Sequence, residues 1–243
     1  MHRLLVDSSE LESDSPVLST AAARHLKVLR PREGEQVELF DGAGRSRVCS
    51  FAGGALRPAA PPSASPRPVP LTLFACVTKG SRWDWTVEKA TELGVTRIVP
   101  VLSERTVVRI TEEEREAKRA RWMRVAEDAA RQSDAKWLPE MLAPVGFDEA
   151  LSLARETTCL VGALATPPPK TLLQALLDIG RPVAPLSLFI GPEGDFTPQE
   201  LSSLCEFATP VTFGESVLRA ETAAIYGLSV LKAFVCQFAR QSV

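Results

Sequence analysis

The segment Gly191-Pro192-Glu193-Gly194-Asp195-Phe196 follows the apolar run Leu188-Phe189-Ile190 and precedes Thr197-Pro198 with Glu200. Such an apolar run predicts a buried strand ending in a tight loop, and Thr-Pro followed by an acid predicts a capped helix start. Two glycines let the backbone approach a ligand closely, while the proline stiffens the turn and removes one donor. Open α/β sheets bind ligands outside the carboxyl ends of their strands, so this loop is placed to hold a small molecule. The second segment is Gly214-Glu215-Ser216-Val217-Leu218-Arg219-Ala220-Glu221-Thr222-Ala223, between a short strand and the last helix. Arg219 stands at or beside a helix start, where a cation opposes the macrodipole at a cost of about 0.3–1 kcal/mol. A guanidinium kept there is suited to charge that develops in a transition state, an effect worth about 3 kcal/mol. Glu221 is the reverse case, because the dipole alone explains an acid in a first turn. Lys79, Arg82 and Arg105 each follow a predicted strand and form a basic rim around such a site.

Other chemistries lack their parts. The chain has two histidines, His2 and His25, with no Cys or carboxylate cluster beside either, so no metal is expected. His25 is read as packed. Cys49, Cys76, Cys159, Cys205 and Cys236 are scattered and odd in number, and read as reduced thiols. There is no Walker loop, no nucleophile elbow and no G-x-G-x-x-G, which counts against a dinucleotide-dependent oxidoreductase. A net charge of -2 excludes a nonspecific nucleic-acid coat, so any RNA contact must be local. Met1 to Ser9 has no apolar stretch of signal-peptide length, and Lys232 and Gln237 interrupt the apolar segment from Ala223 to Phe238; a soluble, cytoplasmic protein with no membrane partner is expected.

The elements that must position these residues fall into two groups. Six of the 19 prolines lie between Pro58 and Pro70, in a stretch that propagates neither helix nor central strand. It sets a boundary between a domain over 1–68 and one over 69–243. Before it, Arg3 to Val6, Gln36 to Phe40 and Ser46 to Phe51 read as strands and Thr20 to Val28 as a helix, with a turn at Asp41-Gly42-Ala43-Gly44. Arg24, Lys27 and Arg30 recur every third residue there, with Arg45 and Arg47 on the neighbouring hairpin, and together offer a five-cation RNA-positioning patch. After the boundary, strands at Leu71 to Val77, Val95 to Leu102, Thr158 to Ala163, Leu186 to Ile190 and Val211 to Phe213 alternate with helices, which predicts an α/β fold with a largely parallel sheet. Ser81 with Asp84, and Thr111 with Glu114, are further capped starts. In the longest helix Trp122, Val125, Ala126, Ala129 and Ala130 share a buried face. The mixed run from Glu112 to Arg124 reads as a solvated face.

Phe189-Ile190-Gly191-Pro192-Glu193-Gly194 and Val217-Leu218-Arg219-Ala220-Glu221-Thr222-Ala223 together resemble the paired signatures of the RsmE-type rRNA uridine-N3 methyltransferases of the SPOUT superfamily. Supporting matches, in the family's order, are His25-Leu26-Lys27-Val28-Leu29-Arg30, Phe40-Asp41-Gly42, Glu88 to Val95, Ser103-Glu104-Arg105 and Pro139-Glu140. Two stretches depart from the family pattern: Arg131-Gln132-Ser133-Asp134, and Glu215-Ser216 where Pro-Arg is usual.

The resemblance implies a small PUA-like β-barrel domain followed by a SPOUT-type α/β domain whose chain forms a C-terminal trefoil knot. It implies S-adenosylmethionine bent between three loops, with contacts from Gly162, Leu164, Ile190, Gly191, Pro192, Glu193, Gly194, Phe213, Val217 and Leu218. Arg219 is then the catalytic residue. The substrate is 16S rRNA, in the assembled 30S subunit, with Arg3, Arg24, Lys27, Arg30, Lys79, Arg82 and Arg105 on the RNA side. A homodimer with its interface near the last helix is implied too. The acceptor of the uridine N3 proton stays open among Glu193, Glu221 and bulk hydroxide or water. The alternative is a noncatalytic RNA-binding or ribosome-assembly protein that keeps the fold.

Overall fold

The computed structural model describes residues 1–165, 167–181 and 184–239. They form two compact units: Met1–Pro68 with Glu127–Leu138, and Val69–Ala126 with the described residues from Pro139 on. A boundary at Pro68 therefore leaves out one part of the first unit, a distant stretch that joins it through tertiary packing. The last four residues of the expected second domain lie outside the described residues.

In the first unit β1 (His2–Leu5) runs parallel to β2 (Gln36–Phe40), β2 pairs antiparallel with β3 (Arg45–Ala52), and β3 pairs with β4 (Ala55–Pro58) and β5 (Ser63–Ala64). Helix α1 (Thr20–Leu29) precedes β2 and is capped by Ser19, whose hydroxyl accepts from the Ala22 amide. Leu4, Leu11, Val37, Leu39, Cys49 and Leu56 form the core. The turn after Phe40 is held by Asp41, whose Oδ1 accepts from the Ala43 and Arg45 amides at 2.8 and 3.0 Å. Gly44 has φ +92, and a Cβ there would lie 2.3 Å from the Trp137 ring, so the 136–138 segment can dock only on a glycine turn. That docking is sealed by Gly44 N–H to Lys136 O (2.9 Å) and Leu138 N–H to Gly42 O (2.8 Å).

Arg3 departs from its expected place on RNA. It is 7% exposed, its Nε lies 2.7 Å from Glu38 Oε2, and its guanidinium also donates to the Ala130 and Ala135 carbonyls and lies over the Phe40 ring. Lys136 binds the other Glu38 oxygen. Burial alone would raise the Glu38 carboxyl, but hydrogen bonds from Lys136, Arg3 and Ser46 outweigh it and hold it below the usual carboxylate range. Buried, and with three of its donors already used inside the first unit, this guanidinium is withdrawn from phosphate.

The second unit is a parallel sheet ordered β12-β10-β11-β6-β7-β8, with β9 also on β7. The strands are β6 (Leu71–Cys76), β7 (Arg97–Leu102), β8 (Glu140–Met141), β9 (Val145–Gly146), β10 (Thr158–Gly162), β11 (Leu186–Ile190) and β12 (Thr209–Val211). Every residue of β6 and β11 is buried, as befits central strands covered on both faces. Leu71, Leu73 and Ala75 pack with α2 (Ser81–Glu92), α3 (Arg115–Ser133), α5 (Leu172–Ile179) and α7 (Ala220–Ala239). Phe74 and Cys76 face α4 (Phe147–Ala154) and α6 (Pro198–Cys205), and Phe74 stacks on Phe189 of β11 at 4.5 Å. The period-2 alternation of a strand thus serves two helical layers.

Three local readings shift. Gly80, at φ 63, occupies the N-cap of α2 with no side-chain cap, and Ser81 is the first helical residue. Val95 closes the end of α2 through its amide to Ala90 O (3.1 Å) after Gly94 at φ 76, so β7 starts at Arg97. Thr212 leaves β12 because its amide and carbonyl bond Lys170 and Leu172 instead. The caps at Thr111 and Thr197 both form reciprocal boxes with Glu114 and Glu200.

Candidate active site

The strands of a parallel sheet end on one edge, and the loops leaving β10, β11 and β12 enclose a cleft of about 260 Å³ there. It is lined by Gly162, Ala163 and Leu164 at the end of β10, by Ile190, Gly191, Pro192, Glu193 and Asp195 at the end of β11, and by Thr212, Phe213, Gly214, Ser216, Val217, Leu218 and Arg219 on the way into α7. Nine of the ten residues expected at a cofactor therefore lie on one surface. Gly194 stands apart from it, and its carbonyl accepts from Arg105 Nη1 at 2.9 Å. Asp195 and Ser216 lie within the two segments singled out in the sequence, whereas Thr212, just before the second, was missed.

Small side chains decide the shape of the cleft. A Cβ on Gly162 would lie 2.7 Å from Phe213 Cε2, and one on Gly191 3.2 Å from the Phe196 ring. The β11 loop turns sharply because Asp195 N–H bonds Pro192 O (2.9 Å) while Asp195 takes φ 57, a conformation Asp tolerates. Its carboxylate then accepts from the Phe196 amide at 2.8 Å.

Arg219 is the last residue before α7, and its carbonyl accepts the first helical bond from Ala223 N at 2.8 Å. Its exposed side chain has no hydrogen bond or ion pair among the described residues. It borders two hollows, since a second cleft of about 460 Å³ is lined by Arg219, Glu221 and Thr222 with Ser81, Arg82 and Trp85 of α2. Arg82 Nη1 meets Glu193 Oε1 at 3.2 Å, linking α2 to the wall of the first cleft. Lys79 is exposed and lines neither cleft.

The loop after β7 braces the β11 loop. Arg105 holds the Gly194 carbonyl, and Glu200 accepts from both the Glu104 and Thr197 amides at 2.9 Å. Beneath them Ser103, Thr106 and Cys76 share buried hydrogen bonds. Burial pushes the Cys76 thiol up to about 12, so it is a packing group. Arg105, expected on the RNA, is in this structure a strut for the ligand loop.

A family model described as an RNA methyltransferase domain matches residues 65–232, and an RNA methyltransferase PUA domain matches residues 18–53. The ribosomal RNA small subunit methyltransferase E of Synechocystis is 30% identical over 240 residues, covering 96% of this chain and 78% of that protein. The chain belongs to the ribosomal RNA small subunit methyltransferase E family. Another member, from Mycobacterium bovis, is 32% identical over 84% of this chain and 80% of its own length. The crystal structure of the Neisseria gonorrhoeae member bound to S-adenosyl methionine superposes with TM-score 0.82 at 30% identity, covering 96% of this chain and 97% of that one. A Legionella pneumophila protein in complex with the same molecule gives TM-score 0.82 at 31% identity, covering 95% of this chain and 96% of that one.

In this member of the family the five-cation patch read on the first unit is smaller than expected. Arg24, Lys27 and Arg30 are exposed on α1 and its exit. Arg45 pairs with Glu12, and Arg47 donates to the Leu11, Ser13 and Ala60 carbonyls, so neither is free for phosphate. Arg47 instead satisfies carbonyls at and just after the short 3-10 turn Ser8–Leu11, which have no strand partner. His25 is half-buried, and its pKa is lowered by burial and by Arg131. Among the described residues no helix is long and apolar enough to cross a membrane, and no three His, Cys, Asp or Glu gather as metal ligands.

Proposed function

We propose that this protein transfers a methyl group from S-adenosylmethionine to N3 of one uridine in small-subunit rRNA. The observation that carries the reading is the cleft at the ends of β10, β11 and β12, built from both family motifs and with Arg219 at its border. The residues present suit the cofactor. Leu164, Ile190, Phe213 and Leu218 offer apolar walls for a purine, the glycine loops offer backbone polar groups, and Glu193 and Asp195 suit a ligand carrying positive charge. The cofactor supplies an electrophilic methyl group on a sulfonium.

The chain's own residues then bind, orient and neutralise charge. Uridine N3 is a weakly acidic imide that attacks only after losing its proton. Negative charge spreads to the flanking uracil oxygens, and the unpaired Arg219 guanidinium is available to them. Holding N3 in line with the methyl carbon supplies much of the remaining acceleration. Arg24, Lys27, Arg30 and Lys79 are exposed cations available to the RNA backbone. With a net charge of -2, nonspecific attraction is weak, which favours RNA already shaped in an assembled small subunit. The exposed α7 face of Tyr226, Ser229, Ala233 and Cys236 is uncharged, and supports a homodimer. The trefoil crossing and a cytoplasmic location belong to the same proposal.

The test incubates purified protein and labelled S-adenosylmethionine with small subunits from a strain lacking its own enzyme, and with the same rRNA deproteinised. Labelled 3-methyluridine forming faster in subunits is expected. No label in either substrate would leave a noncatalytic RNA-binding protein, and equal rates would remove the assembled subunit from the reading.

A further inference from the structure

Glu221 has more to explain than its helix position. Its Oε2 is shielded from solvent and has no hydrogen-bond partner among the described residues. The macrodipole accounts for an acid in the first turn of α7, but a dipole interaction does not require a desolvated, unpaired oxygen, which is costly to keep. Glu221 lines the second cleft, directly beside Arg219, the residue that this hollow shares with the cofactor cleft. Across from them stands Trp85, 41% exposed, while its neighbour Trp83 is 2% exposed in the core. An indole left in solvent on the wall of a pocket, two residues from one fully packed, is a surface on which a base can stack.

These groups match one nucleobase edge. Uracil presents a single N–H at N3 between two carbonyl oxygens, so its recognition needs one acceptor flanked by donors. Glu221 is the acceptor and Arg219 a donor beside it; Ser81 and Thr222 add hydroxyls to the same wall. Cytosine, which has a bare ring nitrogen and an amino group on that edge, would meet the carboxylate without a ring N–H. We infer that the hollow between the starts of α2 and α7 receives the target uracil, stacked on Trp85, and that Glu221 is the group that takes its N3 proton. This rests on the uridine-N3 reading above and deepens it. In the step, the N3–H bond breaks and its proton passes to the Glu221 carboxylate. The N3 lone pair bonds the methyl carbon as the carbon–sulfur bond breaks, and that bonding pair stays on sulfur. The sulfonium and carboxylate charges are discharged together, and the Glu221 proton afterwards leaves to water.

The experiment compares the parent, Glu221→Gln, Trp85→Ala and Trp85→Phe on three readouts: S-adenosylmethionine affinity by calorimetry, RNA-substrate KM, and single-turnover formation of 3-methyluridine. Glu221→Gln keeps the shape and should bind S-adenosylmethionine within a few fold of the parent, yet react about a hundredfold more slowly, the scale of a lost general base. Subunits reconstituted with 5-fluorouridine-containing rRNA carry a more acidic N3–H, and should restore a large part of that rate to Glu221→Gln. Trp85→Ala should raise KM by about tenfold, as for a lost stacking platform, with Trp85→Phe near the parent. Glu221→Gln turning over like the parent, or a loss that fluorinated RNA leaves untouched, overturns the assignment of the base. Unchanged KM in Trp85→Ala overturns the stacking pocket. A parent that forms methylated RNA without 3-methyluridine refutes the underlying reading, and this inference falls with it.

Discussion

Replacing Gly162 by Ala tests whether the shape of the cleft between the β10, β11 and β12 loops sets cofactor affinity. The added Cβ would stand 2.7 Å from Phe213 Cε2 and 2.9 Å from its Cζ, where ordinary contact begins near 3.4 Å, so the ring must move by about 0.7 Å. The ring has little room, because it already packs edge-on against Tyr226 of α7 at 5.8 Å. Overpacking of this kind costs about 1–3 kcal/mol. If the cost falls on the binding-competent form, the S-adenosylmethionine dissociation constant rises about 5- to 150-fold. Calorimetry on the full chain measures it. Gly146→Ala is the control, since that glycine has φ -68 and its Cβ would meet nothing within 4 Å. Adding Phe213→Leu to Gly162→Ala should recover part of the affinity by removing ring atoms at the clash. Parental affinity in Gly162→Ala, with the fold intact by circular dichroism, would refute the reasoning: Phe213 would then yield freely and could not define the cleft.

Arg219→Ala should keep cofactor affinity within a few fold and lose about a hundredfold or more in turnover, read by single-turnover methylation; unchanged turnover would make Arg219 structural. Arg105→Ala removes the donor to the Gly194 carbonyl, a net loss of about 1 kcal/mol, so S-adenosylmethionine should bind about fivefold more weakly while the salt dependence of RNA binding stays put; a change in the salt slope alone would return Arg105 to the RNA side. Glu38→Ala strands the buried Arg3 charge and should destabilise the first unit by about 3–5 kcal/mol in urea unfolding. Because the folded Glu38 carboxyl is held below its usual range, its contribution is complete above the unfolded carboxylate pKa and disappears as pH falls through the folded value. The parent should therefore lose stability on acidification faster than Glu38→Ala, and parallel pH profiles would contradict this.

The alternation of apolar strands with capped helices, and the glycine loop after Leu188-Phe189-Ile190, were legible in the sequence because period, capping and turn chemistry are local properties. So was Arg219, whose place against the macrodipole depends only on where a helix starts. The helices α4 and α5 were not read, since eight residues make too short a pattern to separate from their surroundings. What tertiary structure alone decided was the use of each charge. Arg3, Arg45, Arg47 and Arg105 look in sequence like Arg24, Lys27 and Arg30, but the first four are taken up by carboxylates or carbonyls from residues up to 132 positions away. A guanidinium near an unsatisfied buried acceptor is held there by the cost of leaving that acceptor unpaired, and chain order carries no record of which acceptor that will be. The same holds for Trp83 and Trp85. They are two residues apart and of one type, and only the packing of α2 onto the sheet buries the first and leaves the second on the wall of a cleft.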